Sequence, residues 1–166
     1  GSIDGMILGM GIFHGGLAQI IAGILEYKKG NTFGTTAFTS YGLFWLSFVA
    51  LNWFGLEKAT LQISQEAFAV YFLMWGLFTF SMFFGTLKTN RALQFVFMSL
   101  AILFFLLATK SALLAYTSIT PKGLELFTRT IGVEGVICGL SAVYLALAEV
   151  LNEAHGKNVL PICPVS

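Results

Sequence analysis

The sequence predicts an all-α membrane protein, a polytopic bundle of transmembrane helices, on three observations. Hydrophobic residues make up 57% of the 166 residues and charged residues 10%, whereas an ordinary soluble domain carries about 25% charged residues. The apolar residues are collected into runs long enough to cross a bilayer, which takes roughly 20 residues of helix. Segments such as Leu100–Ala108 also lack the alternation of apolar and polar residues that is typical of strands in a membrane barrel.

Five such runs predict five spans in a single transport domain that covers residues 1–166. Asp, Glu, Lys and Arg are absent from four of the runs, and the fifth, which is bounded by Arg129 and Glu149, contains one charged residue, Glu134. The predicted spans cover residues 5–25, 35–54, 67–85, 92–108 and 128–151. Between the last two spans, the stretch Lys110–Thr128 contains Pro121 and several Ser and Thr residues and is predicted to be a connector.

The first span is rich in glycine, which predicts close helix packing. It contains the pairs Gly5-xxx-Gly9 and Gly11-xxx-Gly15, and the fifth span contains Gly135-xxx-Gly139. Small residues four apart lie on one helix face and let another backbone approach closely. The sequence leaves open whether the approaching helix belongs to the same chain or to another subunit.

The second span begins with a polar stretch that suits a carboxylate. Asn31, Thr35 and Thr36 lie where the chain enters this span, and the free N–H groups and the dipole of a helix N-terminus favour anions. We expect their donors to line a wet approach, which leads to an aromatic stripe of Phe38, Tyr41 and Trp45. In the alternative interpretation the hydroxyls bond back to their own helix and the stripe is ordinary packing.

Glu134 is the ionisable residue inside the fifth span. Because charge in hydrocarbon is costly, an intramembrane carboxyl group is a candidate functional group. We therefore consider a proton-linked role for Glu134. The alternative is that it pairs with Arg129 or with a polar neighbour.

The sequence predicts no enzymatic activity, cofactor or metal site. The spans offer no group of ionisable residues at one depth, and Cys138 and Cys163 have neither metal-site spacing nor the pattern of a disulfide framework. The net charge of +1 provides no basic field that would attract nucleic acid.

The distribution of Lys and Arg predicts an orientation. The connectors divide these residues five against four between the two sides, and the larger group lies on the side of the C-terminal tail. The positive-inside rule then predicts a cytoplasmic C-terminus. The expected location is the cell membrane (inner, or cytoplasmic, membrane) with several crossings.

Segments along most of the chain resemble one family. Glu26–Trp45 (EYKKGNTFGTTAFTSYGLFW) closely resembles the signature of the succinate–acetate permease family, the YaaH-type acetate transporters. Four further blocks match in the family's order: Gly11–Gly23, Met82–Phe97, Cys138–Glu153 and Val159–Ile162. Family members have six spans, and the resemblance implies that this chain starts where the second begins. The first helix and its Asn-Pro-Ala-Pro-Leu-Gly-Leu motif are then expected upstream in the native protein, or to have been lost.

The resemblance implies a homohexamer in which each protomer has its own pathway through a hydrophobic constriction. Tyr41 and Leu100 match two of the constriction residues, and the third, a Phe, belongs to the absent helix. Gln19 lies in the family's Gly-Gly-x-Ala-Gln block and is expected to line the pathway. Phe97 and Ala142, which lie within two of the matching blocks, complete the predicted pathway.

The function implied by the resemblance is a membrane channel or transporter for acetate and related short carboxylates, including succinate. The expected partners are the carboxylate, the lipid bilayer and further copies of the chain. The alternatives are a membrane-embedded scaffold or sensor without transport and, from another class, a membrane enzyme.

Overall fold

The computed structural model describes residues 2–57 and 63–165, whose regular structure is helical apart from one isolated β-bridge between Asn90 and Pro164. In chain order, the helices are α1 (Ser2–Met10), a π-helical segment (Gly11–Ala18), α2 (Gln19–Lys28), α3 (Thr32–Glu57), α4 (Gln65–Gly85), α5 (Arg91–Tyr116) and α6 (Pro121–His155). The first three follow one another without a break and form one long helical segment. The predicted all-α architecture is confirmed.

Four helical segments are long and apolar enough to cross a membrane, judged by length and composition among the described residues. They are residues Gly5–Lys28, α4, α5 and α6. α3 has 26 residues, which is a sufficient length, but it is not one of the four. The Thr, Ser and Asn residues that α3 contains lower its mean hydropathy.

The last two helices are longer than the sequence predicts. α5 continues past Ala108 to Tyr116, and α6 begins at Pro121 rather than near Thr128. The Thr120 side chain accepts a hydrogen bond from the Gly123 N–H at 3.2 Å, and a proline in the first helical turn needs no N–H partner. Thr120 and Pro121, which suggested a connector, are therefore the capped start of α6. The connector is reduced to residues 117–120.

The chain divides into two compact units, residues 1–63 and 64–166. In the first unit, α3 packs against the π-helical segment and α2. A Cβ atom at Gly15 would lie 2.7 Å from the Trp45 ring, so a side chain there would push the two helices apart. The predicted close approach is thus confirmed for Gly15, within one chain, whereas a Cβ at Gly5 or Gly9 would meet nothing within 4 Å.

In the second unit, α5 packs against both α4 and α6. On the α4 side, the Phe104 ring stacks on Trp75 with a centroid distance of 6.4 Å. On the α6 side, a Cβ at Gly135 would make ordinary contact with the Leu103 side chain at 3.8 Å. α5 is therefore the central helix of this unit.

Residues 157–165, called here the C-terminal strap, are fixed to α6 by two side chains. Asn152 Oδ1 accepts hydrogen bonds from the N–H groups of Val159 and Leu160 at 2.6 and 3.0 Å, and Asn152 Nδ2 donates to the Leu160 carbonyl at 2.9 Å. The Tyr144 hydroxyl donates to the Pro161 carbonyl at 2.8 Å. Asn152 and Tyr144 therefore hold the first part of the strap against α6.

The far part of the strap covers the start of α5. The N–H groups of Arg91 and Ala92 donate to the carbonyls of Cys163 and Ile162 at 2.9 and 3.2 Å. The first N–H groups of a helix have no partner within the helix itself. The strap thus supplies acceptors that α5 cannot supply, and it ties α6 to the beginning of α5.

Candidate transport site

Asn31 lies at the polar start of α3, and both polar atoms of its side chain are hydrogen-bonded. Its Nδ2 donates to Glu26 Oε2 at 2.6 Å, and its Oδ1 accepts from the Gly34 N–H at 3.0 Å. Glu26 also accepts from Lys29 Nζ at 3.2 Å. The predicted anion donor is therefore an exposed helix cap linked to an acidic residue.

The hydroxyls that follow Asn31 bond to their own helix. Thr35 Oγ1 donates to the Asn31 carbonyl at 2.8 Å, and Thr36 Oγ1 donates to the Thr32 carbonyl at 2.9 Å. Thr39 Oγ1 likewise donates to the Thr35 carbonyl at 2.6 Å. Each hydroxyl has one proton to donate, so in this conformation these groups present oxygen acceptors and no donors to a ligand. This geometry favours the alternative interpretation of the Thr residues.

The aromatic stripe of α3 has two kinds of member. Trp45 is a packing residue, because its ring fills the space above Gly15 and contacts Phe48 edge-on at a centroid distance of 6.2 Å. Phe38 is 40% exposed and Tyr41 is buried. The part of the stripe nearer to the polar start of the helix therefore remains the candidate pathway wall.

The two predicted constriction residues belong to different compact units. Tyr41 is buried in α3, and Leu100 is half-buried in α5 between the buried residues Ser99 and Ala101. Phe97, one turn before Leu100, is buried as well, whereas Ala142 on α6 is exposed. That Tyr41 and Leu100 face each other across a pathway stays a prediction.

Gln19 follows directly after the π-helical segment and has an unsatisfied oxygen. Its Oε1 is buried and accepts no hydrogen bond, and no other buried side-chain polar atom in the described parts of the chain lacks a partner. A buried acceptor without a partner costs about 1–3 kcal/mol, and π-helical turns occur frequently at functional sites. A Gln within an apolar glycine-rich block was the sequence signal for this position, and the missing partner is what the structure adds.

Glu134 is paired with a polar neighbour on another helix. Ser99 Oγ donates to Glu134 Oε1 at 2.6 Å, which joins α5 to α6. Arg129 instead donates to Glu125 Oε1 at 2.7 Å. Of the two pairings that the sequence left open for Glu134, the one with a polar neighbour is therefore present and the one with Arg129 is not. Ser99 was not predicted as that neighbour, because the register between two helices cannot be read from the chain.

An open groove of about 430 Å³ lies beside Glu134, between α5 and α6. Its lining is mostly apolar and includes Leu106, Val133, Ile137, Arg129 and Thr130. Within residues 2–57 and 63–165, no three His, Cys, Asp or Glu residues lie close enough together to hold a metal ion. The groove thus combines an apolar wall with one carboxyl group.

Three comparisons place the chain among known membrane proteins. A family model described as the GPR1/FUN34/yaaH family matches residues 2–166. The chain is 54% identical over 161 residues to the succinate-acetate/proton symporter SatP of Escherichia coli (strain K12), and the match spans 97% of this chain and 81% of that protein. It is 40% identical over 159 residues to the ammonia transport outward protein 2 of Saccharomyces cerevisiae, spanning 93% of this chain and 53% of that protein.

A solved structure is similar at the level of the fold. The structure of the bacterial acetate channel SatP matches with a TM-score of 0.84 and 52% sequence identity, over 98% of this chain and 84% of that one. The agreement extends over both compact units, since together they make up the matched length.

Proposed function

The chain belongs to the GPR1/FUN34/yaaH family, and from this premise we propose that it moves acetate and related short carboxylates, succinate included, across the cell membrane. The observation that carries the proposal is the similarity in sequence and fold to a bacterial acetate channel and to a succinate-acetate/proton symporter. Helices long and apolar enough to cross a membrane support a multi-pass location. The similarity to the ammonia transport outward protein 2 of yeast makes ammonia the alternative candidate substrate for this chain.

The proposed pathway begins at the polar start of α3 and passes an apolar neck. Asn31, Thr35 and Thr36 form its wet rim, and Phe38 lies beyond them on the same helix. Tyr41 and Leu100 form the neck. Gln19, Phe97 and Ala142 line the remainder, and the working assembly is a homohexamer with the C-terminus of each chain in the cytoplasm.

The chemistry of the substrate explains why such a pathway needs few polar groups. A carboxylic acid with a pKa near 4 is almost entirely ionised at neutral pH, so it must exchange its water shell for other hydrogen-bond partners in an apolar neck. Conduction also requires binding that is favourable but weak. A neck formed by the uncharged residues Tyr41 and Leu100 meets this requirement better than Lys or Arg would, because it does not trap the anion.

Counterflow of labelled acetate tests the proposal. Vesicles that contain the purified protein and are loaded with unlabelled acetate should take up trace labelled acetate faster than protein-free vesicles do. Excess succinate outside should slow this uptake by competition. Equal rates with and without protein would overturn the proposal in favour of a scaffold or sensor, and uptake of labelled methylammonium in place of acetate would move the assignment to ammonium.

The hydroxyls of α3 are expected to contribute little to the rate. Because Thr35 and Thr36 donate to their own helix, Thr35→Val and Thr36→Val should leave the rate of acetate counterflow within about twofold of the wild-type rate. A lost hydrogen bond to the substrate would cost about 1 kcal/mol, which corresponds to a larger, about fivefold, loss of rate. The double variant should behave like the single ones. A several-fold loss in any of the three would restore these hydroxyls to substrate binding.

A further inference from the structure

We propose that Glu134 is the residue that binds the proton moved together with the carboxylate. The proposal rests on the proposed function and adds to it the site of proton binding. It starts from the Ser99–Glu134 hydrogen bond of 2.6 Å and from the open groove beside it.

The depth of Glu134 is the first argument. At about 1.5 Å per residue, Glu134 lies about 8 Å along α6 beyond Arg129, the last charged residue before it, and Ser99 lies about 12 Å along α5 from Arg91. Glu134 is the single charged residue between Arg129 and Glu149, so the carboxyl group lies within the apolar run of a helix that is long enough to cross a membrane. An isolated charge at such a depth is costly, and a bound proton removes that charge.

The absence of a counter-ion on α6 is the second argument. Among the described residues, no Lys or Arg lies within salt-bridge distance of Glu134, and the nearest cation along the helix, Arg129, pairs with Glu125. The titratable group one turn further along α6 is the buried thiol of Cys138, which cannot supply positive charge. Arg129 lines the same groove as Glu134, but Glu125 holds its guanidinium at 2.7 Å, so a proton remains the neutralising partner for Glu134 on its own helix.

The side chains of α5 that lie beside Glu134 also provide no positive charge. Leu106 lines the groove and Ser99 bonds to the carboxyl group, and neither side chain carries a charge. The Ser99 hydroxyl can donate to Glu134 Oε1 whether the carboxyl group is ionised or neutral, so both proton states keep this bond. An incoming proton then forms an O–H bond at Oε2, and the charge of the side chain changes from −1 to 0.

A route for the proton and a link to the neck are also present. Thr130 and Arg129 lie along the same groove, toward the start of α6, and provide polar contacts for water that leads to Glu134. Ser99 immediately precedes Leu100, the proposed neck residue. A hydrogen bond to an ionised acceptor is stronger than one to a neutral acceptor, so the proton state of Glu134 alters how firmly this part of α5 is held.

The decisive experiment separates exchange from proton-driven uptake in Glu134→Gln, which keeps the shape and cannot ionise. Counterflow of labelled acetate, which needs no net proton movement, should match the wild type. The acceleration of the initial rate by an acid-outside gradient, which the wild type should show, should be lost. Rates are corrected with protein-free vesicles, and Glu153→Gln, at an exposed carboxyl group of the same helix, is the matched control that should keep both activities.

Several results would overturn the inference. A Glu134→Gln variant that still responds to the gradient like the wild type contradicts it, and so does one that loses counterflow and gradient response together. Absence of counterflow in the wild-type protein would instead contradict the proposed transport function. This result differs from those that contradict the role of Glu134, in which the wild type transports acetate.

A second measurement covers a variant that fails to fold. Dicyclohexylcarbodiimide reacts with protonated carboxyl groups in apolar surroundings, so mass spectrometry of the wild-type protein should find Glu134 labelled increasingly as the buffer is made more acidic. Acetate should slow the labelling. No labelling of Glu134 at any pH would contradict a proton-binding role.

Discussion

Replacing Gln19 by Met is expected to stabilise the protein and to slow acetate transport at the same time. Gln19 Oε1 is buried without a hydrogen-bond partner, and removal of such an acceptor should raise the free energy of unfolding by about 1–3 kcal/mol. If the missing donor is supplied by water that accompanies the substrate, the same change should lower the rate of acetate counterflow about fivefold, which corresponds to about 1 kcal/mol. Thermal unfolding in detergent and counterflow in vesicles measure the two effects.

Gln94 offers a matched control for this substitution. Its Nε2 donates to the carbonyls of Thr86 and Leu87 at 3.3 and 3.2 Å, and its Oε1 accepts from Arg91 Nη1 at 2.9 Å. Gln94→Met should therefore destabilise the protein, since it leaves these groups without their partner. If Gln19→Met also destabilises the protein and leaves counterflow unchanged, Gln19 has a packing role and is not part of the pathway.

Replacing Leu100 by Ala is expected to admit larger acids. Removing the isobutyl group should widen the proposed neck, and a pocket distinguishes substrates by roughly 1–3 kcal/mol per methylene. The ratio of butyrate to acetate uptake should then rise by about tenfold or more. Counterflow with labelled acetate, propionate and butyrate measures this ratio directly.

Leu103→Ala controls for the loss of packing in α5. Leu103 lies one turn beyond Leu100, beside Gly135, and its truncation leaves a similar cavity on the α6 side of the helix. It should lower stability without changing the selectivity among acids. Equal selectivity in Leu100→Ala and in the wild type would remove Leu100 from the neck, and with it the proposed partnership with Tyr41.

The helices could be predicted from sequence because hydrocarbon imposes a strict requirement on composition. Runs with at most one charged residue identified every long helical segment in the described residues, including α3, whose hydroxyls lower its hydropathy. The ends were harder to place, since Thr120 and Pro121 read equally well as a connector and as the capped start of α6. Whether these residues form a cap depends on the local backbone geometry. The sequence shows that residue types suited to a cap are present, but it does not show whether they form a cap or a connector.

The candidate site was predictable in outline and not in its hydrogen bonds. A Thr near a helix start can donate to a ligand or to its own carbonyls, and the sequence left both open for Thr35. The Ser99–Glu134 bond depends on the register of α5 against α6, which neither helix specifies by itself. The unsatisfied oxygen of Gln19 is likewise a property of its surroundings, so a sequence can indicate the residue but not its missing partner.

The C-terminal strap also has a consequence for the order of events during biogenesis. Arg91 and Ala92 leave the ribosome well before Ile162 and Cys163, whose carbonyls later accept their N–H groups. Lipid offers no acceptor in the meantime, so the start of α5 must remain hydrated while α6 is being inserted. We therefore expect the turn between α4 and α5 to wait at the water-facing surface of the nascent protein, and this end of the second unit to close last.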